Sequence, residues 1–329
     1  MYEKRKHHFV PVTYLKGFTA IEGSLHVYRK ADPTKPFVCK PENIGFTNYY
    51  YGFDKADGTF DTNSLEDAFQ LVENDWPASL AAARNRSELL GNDLARLLEY
   101  IALQRARVPA TRDSYERFQA AGILATARQL HAQGKLPPIP GGREDILDDL
   151  EITVSPQSSL RGIAVALEAC EKVFNSLNFG ILRNETEVPL LTSDNPVIWF
   201  DPSMEEDLIQ PYRITQNGPI DLFFPMAPDL LLYGWNPRHA EEFLFDGVRH
   251  GALTDPDRIA FVNRMIVRFG YHTVFSTSAS DAPQIAPYAT MSPTLSTAEV
   301  PVIGGRLVVG TMTFGPMAQK TKWKPEDTS

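Results

Sequence analysis

The feature that most constrains this chain is the order in which its hydrophobic periodicities change. The first sixty residues alternate with the two-residue rhythm of strands. Residues 64–178 carry the 3.6-residue rhythm of helices, and strand-like runs return after Asn178. Strands gathered on either side of one helical block do not suit regular βαβ alternation. They predict an α+β fold: a mixed, largely antiparallel sheet from N- and C-terminal strands, with a central helical section packed against it.

Within the first block, Ser24-Leu25-His26-Val27-Tyr28 alternates. Phe37-Val38-Cys39 and Tyr49-Tyr50-Tyr51 read as further short strands, and the Asp-Gly chemistry between Asp54 and Asp61 predicts a hairpin end. A helix is expected from Ser64, with Asp67 completing a capping box and Leu65, Phe69, Val72 and Trp76 on its buried stripe. A second helix runs from Asn92 to about Val108 over Leu94, Leu97, Leu98 and Ile101. Pro109 breaks it before a third, which reaches Gly134. Leu136 to Gly142, LPPIPGG, cannot be regular structure and reads as an internal linker. A fourth helix spans about Ser158 to Leu177.

The returning strands are Phe179–Leu182, Leu190–Thr192, Val197–Phe200, Leu222–Phe224 and Leu230–Tyr233, with a surface loop over 201–219. Asp255-Pro256 is a strong helix start, an N-cap followed by proline. Thr273-Val274-Phe275 is a strand, and Val300–Thr313 a hairpin turning at Gly304-Gly305. Neither strand group alone offers a balanced core. The 329 residues are therefore expected to form one compact unit, with 64–178 as its helical section and 284–329 as a C-terminal hairpin extension.

These stretches resemble a family of unknown function, domain of unknown function 4238. The resemblance starts at His8-Phe9-Val10-Pro11 with Tyr14, Leu15 and Phe18, and passes through Leu25-His26-Val27-Tyr28 and Leu65-Glu66. It continues in Gln104…Arg107-Val108-Pro109, Leu191-Thr192-Ser193-Asp194-Asn195-Pro196-Val197 and Phe224-Pro225-Met226-Ala227-Pro228. Asn263 and Val274-Phe275-Ser276 stand near its end, so it covers about residues 5 to 277. Met226-Ala227 departs from the more usual Leu-Ser. The resemblance implies a shared fold and brings no activity with it.

A net charge of −9 argues against a general nucleic-acid binder, whose affinity comes mostly from neutralising phosphates. Cys39 and Cys170 fit neither a metal-binding spacing nor a disulfide framework, which suits a reducing compartment. The start, MYEKRKHHFVP, has no apolar segment behind its basic residues, and no run approaches the ~18 apolar residues of a membrane span. The expectation is a soluble, cytoplasmic protein with no membrane association and an oligomeric state left open.

No phosphate-binding GxxxxGK[ST], GxGxxG, HExxH, GxSxG or CxxC signature is present. Chemistry would have to come from scattered residues. On the second helix, Arg96, Tyr100, Gln104 and Arg107 fall within about 80° of one another at 100° per residue. Two guanidiniums with a carboxamide between them can hold a phosphate or carboxylate, although the same stripe also suits a solvent face.

Asp194, in Ser193-Asp194-Asn195-Pro196, is either a side-chain-capped turn or a carboxylate presented at a strand end. His7 and His8 point to opposite faces of a strand, and His8 holds the family-like position. Glu66 and Glu73 lie two helical turns, about 10 Å, apart on one face, so at most one of them joins a metal site. Asn263 lies on the polar side of its helix.

The leading expectation is a metal-assisted hydrolase for a phosphate-containing or other anionic substrate. In it His8, Asp194 and Glu66 surround a divalent ion such as Mg or Mn, His8 and Asp194 are catalytic, and Gln104, Arg107 and Asn263 bind substrate. The alternatives are a non-catalytic module for a nucleotide, a nucleic-acid end or a carboxylate ligand, and a protein interaction module. The sharpest expectation is that His8, Gln104, Arg107 and Asp194 converge on one cleft.

Overall fold

Strands that are apolar at every position, such as Leu222-Phe223-Phe224 and Leu230-Leu231-Leu232, have no face to offer water and must be covered on both sides. In the computed structural model, which describes residues 3–20, 22–137, 146–215, 218–237, 243–302 and 305–317, they form the middle of a five-stranded sheet. Its order is Val248–Leu253, Asn178–Asn184, Leu230–Trp235, Asp221–Ala227, Ile198–Phe200. Only the pairing of Val248–Leu253 with Asn178–Asn184 is parallel.

The two-residue period of these strands sorts their side chains into two cores. Leu222, Phe224, Leu230 and Leu232 face a cluster built with Trp76, Leu97, Ile101 and Phe174 of the helical section. Phe223, Leu231, Ile198 and Phe200 face a second cluster built on Ile259, Val262 and Ile266 of the helix Pro256–Phe269.

A four-stranded sheet, in the order Asp32–Cys39, Leu25–Arg29, Thr273–Ser276, Thr192–Ser193, joins the two ends of the chain. All three of its pairings are antiparallel. The N-terminal strands thus do share a sheet with strands beyond residue 178. The fold is α+β with mixed, largely antiparallel sheets, divided into two main sheets where the sequence had suggested one.

Several local expectations change. Tyr49-Tyr50-Tyr51 is a turn, with Tyr49 at φ 55°, and the strand there is Phe46–Asn48. The helix Ser64–Glu73 is capped from outside by Asp61, whose Oδ1 accepts the amides of Asn63 and Ser64 at 2.9 and 2.8 Å, in place of the capping box. Trp76 belongs to a separate helix, Trp76–Arg84, which carries proline in its first turn. The strand Val248–Leu253 was unforeseen because its residues, VRHGAL, are half-exposed at a sheet edge and hold little apolar pattern.

The helix Gly91–Ala106 leads into Pro109–Ala132 through an extended Val108 (ψ 156°). The conformation of Val108 is the one that a following proline imposes. The expected linker at 136–142 lies, from 138 on, outside the described residues. The C-terminal hairpin pairs Ser292–Val302 with Gly305–Gly315 and leans on the helix Pro109–Ala132. Arg128 bridges to Glu299 there at 2.5 Å.

Candidate acid–base site

Every residue from Tyr100 to Arg107 is buried, so the second helix ends inside the protein. The polar side chains of that end, the supposed solvent face included, must therefore find partners within the fold. Arg107 closes the helix, its amide bonding the Leu103 carbonyl at 3.2 Å, and is only 1% exposed. Its Nη1 donates to Glu73 Oε1 at 2.6 Å and its Nε to the Phe9 carbonyl at 3.3 Å. Nη2 is buried without a partner.

Further groups come from the two helices of the pair itself, from the strand Lys6–His8 and from the helix Trp76–Arg84. The strand Lys6–His8 pairs with Phe46–Asn48 and sets His8 opposite Phe46. His8 Nε2 is buried and unbonded. Burial lowers the His8 pKa, against the backbone of Glu42, which favours the charged ring; the positive charge of Arg107 lowers it further and Glu73 opposes this. The imidazole is therefore neutral at neutral pH.

Glu66 comes from the helix Ser64–Glu73, two turns before Glu73. Its Oε1 is also buried without a partner. Burial pushes its carboxyl up to about 7, with Arg107 pulling down and Glu73 pushing up. Glu66 and His8 thus respond to the same two charges, Arg107 and Glu73.

Gln104 lies one turn before Arg107. Its Nε2 donates to the Tyr100 hydroxyl at 2.9 Å, leaving Oε1 unbonded. Tyr100 stacks on Trp76 with ring centres 4.4 Å apart, and the Trp76 Nε1 donor is buried without an acceptor. Trp76 also forms part of the wall of a surface cavity of about 420 Å³, together with Thr13, Lys16, Pro77 and Arg84.

Buried polar atoms normally find hydrogen-bond partners. Here His8 Nε2, Glu66 Oε1, Trp76 Nε1, Gln104 Oε1 and Arg107 Nη2 do not, and together they are half of the unpartnered atoms among the described residues. Two are donors, one is an acceptor and two can take either role according to protonation. Such a set suits a polar ligand or ordered water, where an apolar filling would leave all five unsatisfied.

Asp194 belongs elsewhere. Its two oxygens accept the amides of Tyr271 and His272, both at 2.7 Å, and Lys30 lies near it. It is a fully engaged turn carboxylate, because the extended Thr192–Ser193 strand ends against the chain leaving the helix Pro256–Phe269. Lys30 Nζ donates nearby to the carbonyls of Val267, Gly270 and Met291. Three acceptors match the three N–H groups of an ammonium.

Asn263 is a clamp: its Oδ1 accepts the Leu191 amide at 2.8 Å while Nδ2 donates to the Pro189 carbonyl and Gln284. Both ends are spent on structure, away from the Arg107 cluster. Arg96 is largely exposed beside Asp75. His7, the other histidine of the pair, accepts the Tyr51 amide at Nδ1 and meets the Lys4 carbonyl at Nε2.

The expected convergence therefore takes a different form. His8, Gln104, Arg107 and Glu66 gather around Glu73, and Asp194 does not join them. The metal set of His8, Asp194 and Glu66 does not assemble. Among the described residues no three His, Cys, Asp or Glu side chains stand where they could share an ion. Trp76 lies on the buried apolar stripe that the sequence shows, and its indole N–H is the one polar atom there that could mark it out.

No helix of the described residues is long and apolar enough to cross a membrane. No curated protein and no solved structure matches the chain. The family described as Protein of unknown function (DUF4238) does match, over residues 6–280, a span that holds all of the site just described and most of the chain, and the protein belongs to that family.

Proposed function

We propose that the cluster around Arg107 is the acid–base site of a hydrolytic enzyme acting on a substrate that carries a phosphate or other oxyanion. The observation that carries this reading is a set of five unpartnered buried atoms on Arg107 itself, on His8 and Glu66, which feel the Arg107 and Glu73 charges, and on Gln104 and Trp76, which join the pair through Tyr100. Arg107 Nη2 and Trp76 Nε1 supply donors for the oxyanion, and Gln104 Oε1 accepts a hydroxyl or water proton. His8, neutral at neutral pH, accepts the proton of an attacking water at Nε2. Glu66, half protonated near pH 7, gives its proton to the leaving oxygen. The added water is thereby split between the two products, and the proton on His8 returns to Glu66 through solvent. Among the described residues no group of His, Cys, Asp or Glu forms a metal centre, and the proton transfers above need only His8, Glu66 and water.

A panel of p-nitrophenyl phosphate, bis-p-nitrophenyl phosphate and p-nitrophenyl acetate, each with and without chelator, tests the proposal. Hydrolysis of a phosphate ester that survives the chelator and is lost in both His8→Gln and Glu66→Gln supports it. Hydrolysis indifferent to both substitutions sinks it. Anion binding with no turnover of any ester would favour the non-catalytic binding module instead. The unpaired Cys39 and Cys170 fit a cytoplasmic place of action, which is part of the same proposal.

A further inference from the structure

Two residues along a helix is a turn of 200°, so Arg105 leaves the helix on nearly the opposite side from Arg107. It is another buried guanidinium, 9% exposed, and among the described residues no carboxylate pairs with it. Its Nη1 donates to Thr111 Oγ1, whose own proton goes to the Arg105 carbonyl at 2.7 Å. Its Cζ stands over Tyr212, 3.7 Å from the ring centre, and 5.6 Å from the centre of Trp199. Arg105 Nε is buried without an acceptor.

Tyr212 gathers two further unsatisfied groups around this cation. Trp199 packs edge-on against it at 4.8 Å, and its Nε1 donor is buried and unpartnered. Asn195 donates its Nδ2 to the Tyr212 hydroxyl at 2.6 Å and to the Phe269 carbonyl at 2.8 Å. A carbonyl can only accept, so the amide orientation is fixed and Asn195 Oδ1 is left as a buried acceptor with nothing to accept. Trp199 is 5% exposed and Asn195 fully buried.

We propose that Arg105, Trp199 and Asn195 form a second ligand site, for a small oxyanion that also carries a hydroxyl. A buried positive charge with no counter-charge is costly, and an anion is the group that relieves it. Arg105 Nε–H and Trp199 Nε1–H donate to the oxyanion, while Asn195 Oδ1 accepts the ligand's hydroxyl proton. Phosphate in its hydrogen-bearing forms and a hydroxy acid share this chemistry; chloride and acetate lack the hydroxyl. The site does not depend on the acid–base reading of Arg107, since its residues are separate.

The indole N–H resonances test it, because Trp199 reports this site and Trp76 reports the one around Arg107. Full-length protein labelled with nitrogen-15 is titrated with inorganic phosphate and, separately, with glycolate, the Trp199 peak being assigned with Trp199→Phe. Chloride and acetate serve as controls. The Trp199 peak should move downfield and saturate with at least one hydroxylated anion, phosphate alone or glycolate alone identifying the source. Arg105→Gln should weaken the apparent affinity roughly tenfold to a hundredfold, the ratio expected for one lost charge-assisted bond. Arg107→Gln should leave the Trp199 response in place. A Trp199 peak that ignores both anions, that follows chloride equally, or that responds unchanged in Arg105→Gln overturns the proposal. Movement of Trp76 alone would support the Arg107 site while overturning this one.

Discussion

Replacing Glu66 by glutamine should make the protein more stable at alkaline pH and leave it almost unchanged near pH 4.5. The folded state holds the Glu66 carboxyl up at about 7 from an ordinary 4.5, chiefly because burial disfavours its charge. Its folded pKa exceeds its unfolded one, so the folded protein binds the extra proton between these two values. The contribution of the group is fully present below about 4.5 and is lost as pH climbs to about 7. Above that, the fold carries a buried anion with only part of its compensation. At about 1.36 kcal/mol per pH unit the shift is worth about 3.4 kcal/mol, and the partial exposure of Glu66 reduces this to about 2 kcal/mol. Glutamine is isosteric with the protonated acid and never ionises. Glu66→Gln should thus exceed the wild type by about 2 kcal/mol at about pH 8 and match it within about 0.5 kcal/mol at about pH 4.5. Urea denaturation followed by tryptophan fluorescence, with stability taken from midpoints at a common slope, measures both. An equal difference at the two pH values, or a loss at pH 8, refutes the reasoning.

Four more outcomes follow from the same structure. Asp194→Ala leaves the amides of Tyr271 and His272 without their acceptor and should cost about 2–4 kcal/mol; an unchanged melting temperature would show that the turn does not depend on it. In native protein Cys39 should react slowly with a disulfide reagent and Cys170, buried with its thiol pushed up to about 11, should not react, so two rapid equivalents would contradict the burial. If His8 is the base and Glu66 the acid, kcat/KM should follow a narrow bell, rising through a pKa below 6.5 and falling through about 7; a monotonic profile would reassign the roles. Cleavage within 136–142 should not release separable halves, because the helices Gly91–Ala106 and Arg161–Phe174 pack together across that segment, and two independently folded fragments would reverse this.

The sequence carried the fold where pattern and packing agree. The strand–helix–strand order held because each block has a single period, and the start of the helix Pro256–Phe269 held because Asp255 does what its position implies, accepting the Asp257 amide at 2.9 Å. The division into two sheets was not legible: Leu222, Phe223 and Phe224 are all apolar, and nothing in their identity says which core each will face. The stripe of Tyr100, Gln104 and Arg107 was visible as a geometric fact. Its burial was not, because helical periodicity reports which residues share a side and is silent on what covers it. The partners of Asp194 were illegible for a related reason. A carboxylate before Asn-Pro looks the same whether its oxygens meet a ligand or two backbone amides, and only the approach of Tyr271 and His272, seventy-seven and seventy-eight residues away, decides between them. Trp76 and the Glu73–Arg107 pair required tertiary contact of the same kind.

In the proposed site, an anion bound beside Arg107 and a proton on Glu66 depend on each other. Sulfate, which does not titrate near neutrality, is the direct probe. An anion near Glu66 raises the affinity of that carboxyl for its proton, so adding sulfate to lightly buffered protein at about pH 7 should draw protons from solution. The uptake should saturate with sulfate, disappear in Glu66→Gln, and persist in Arg105→Gln, where no acid is disturbed. Sulfate that binds at the Trp76 indole without any proton uptake, or uptake that is undiminished in Glu66→Gln, would contradict the assignment of Glu66 as the acid of the site.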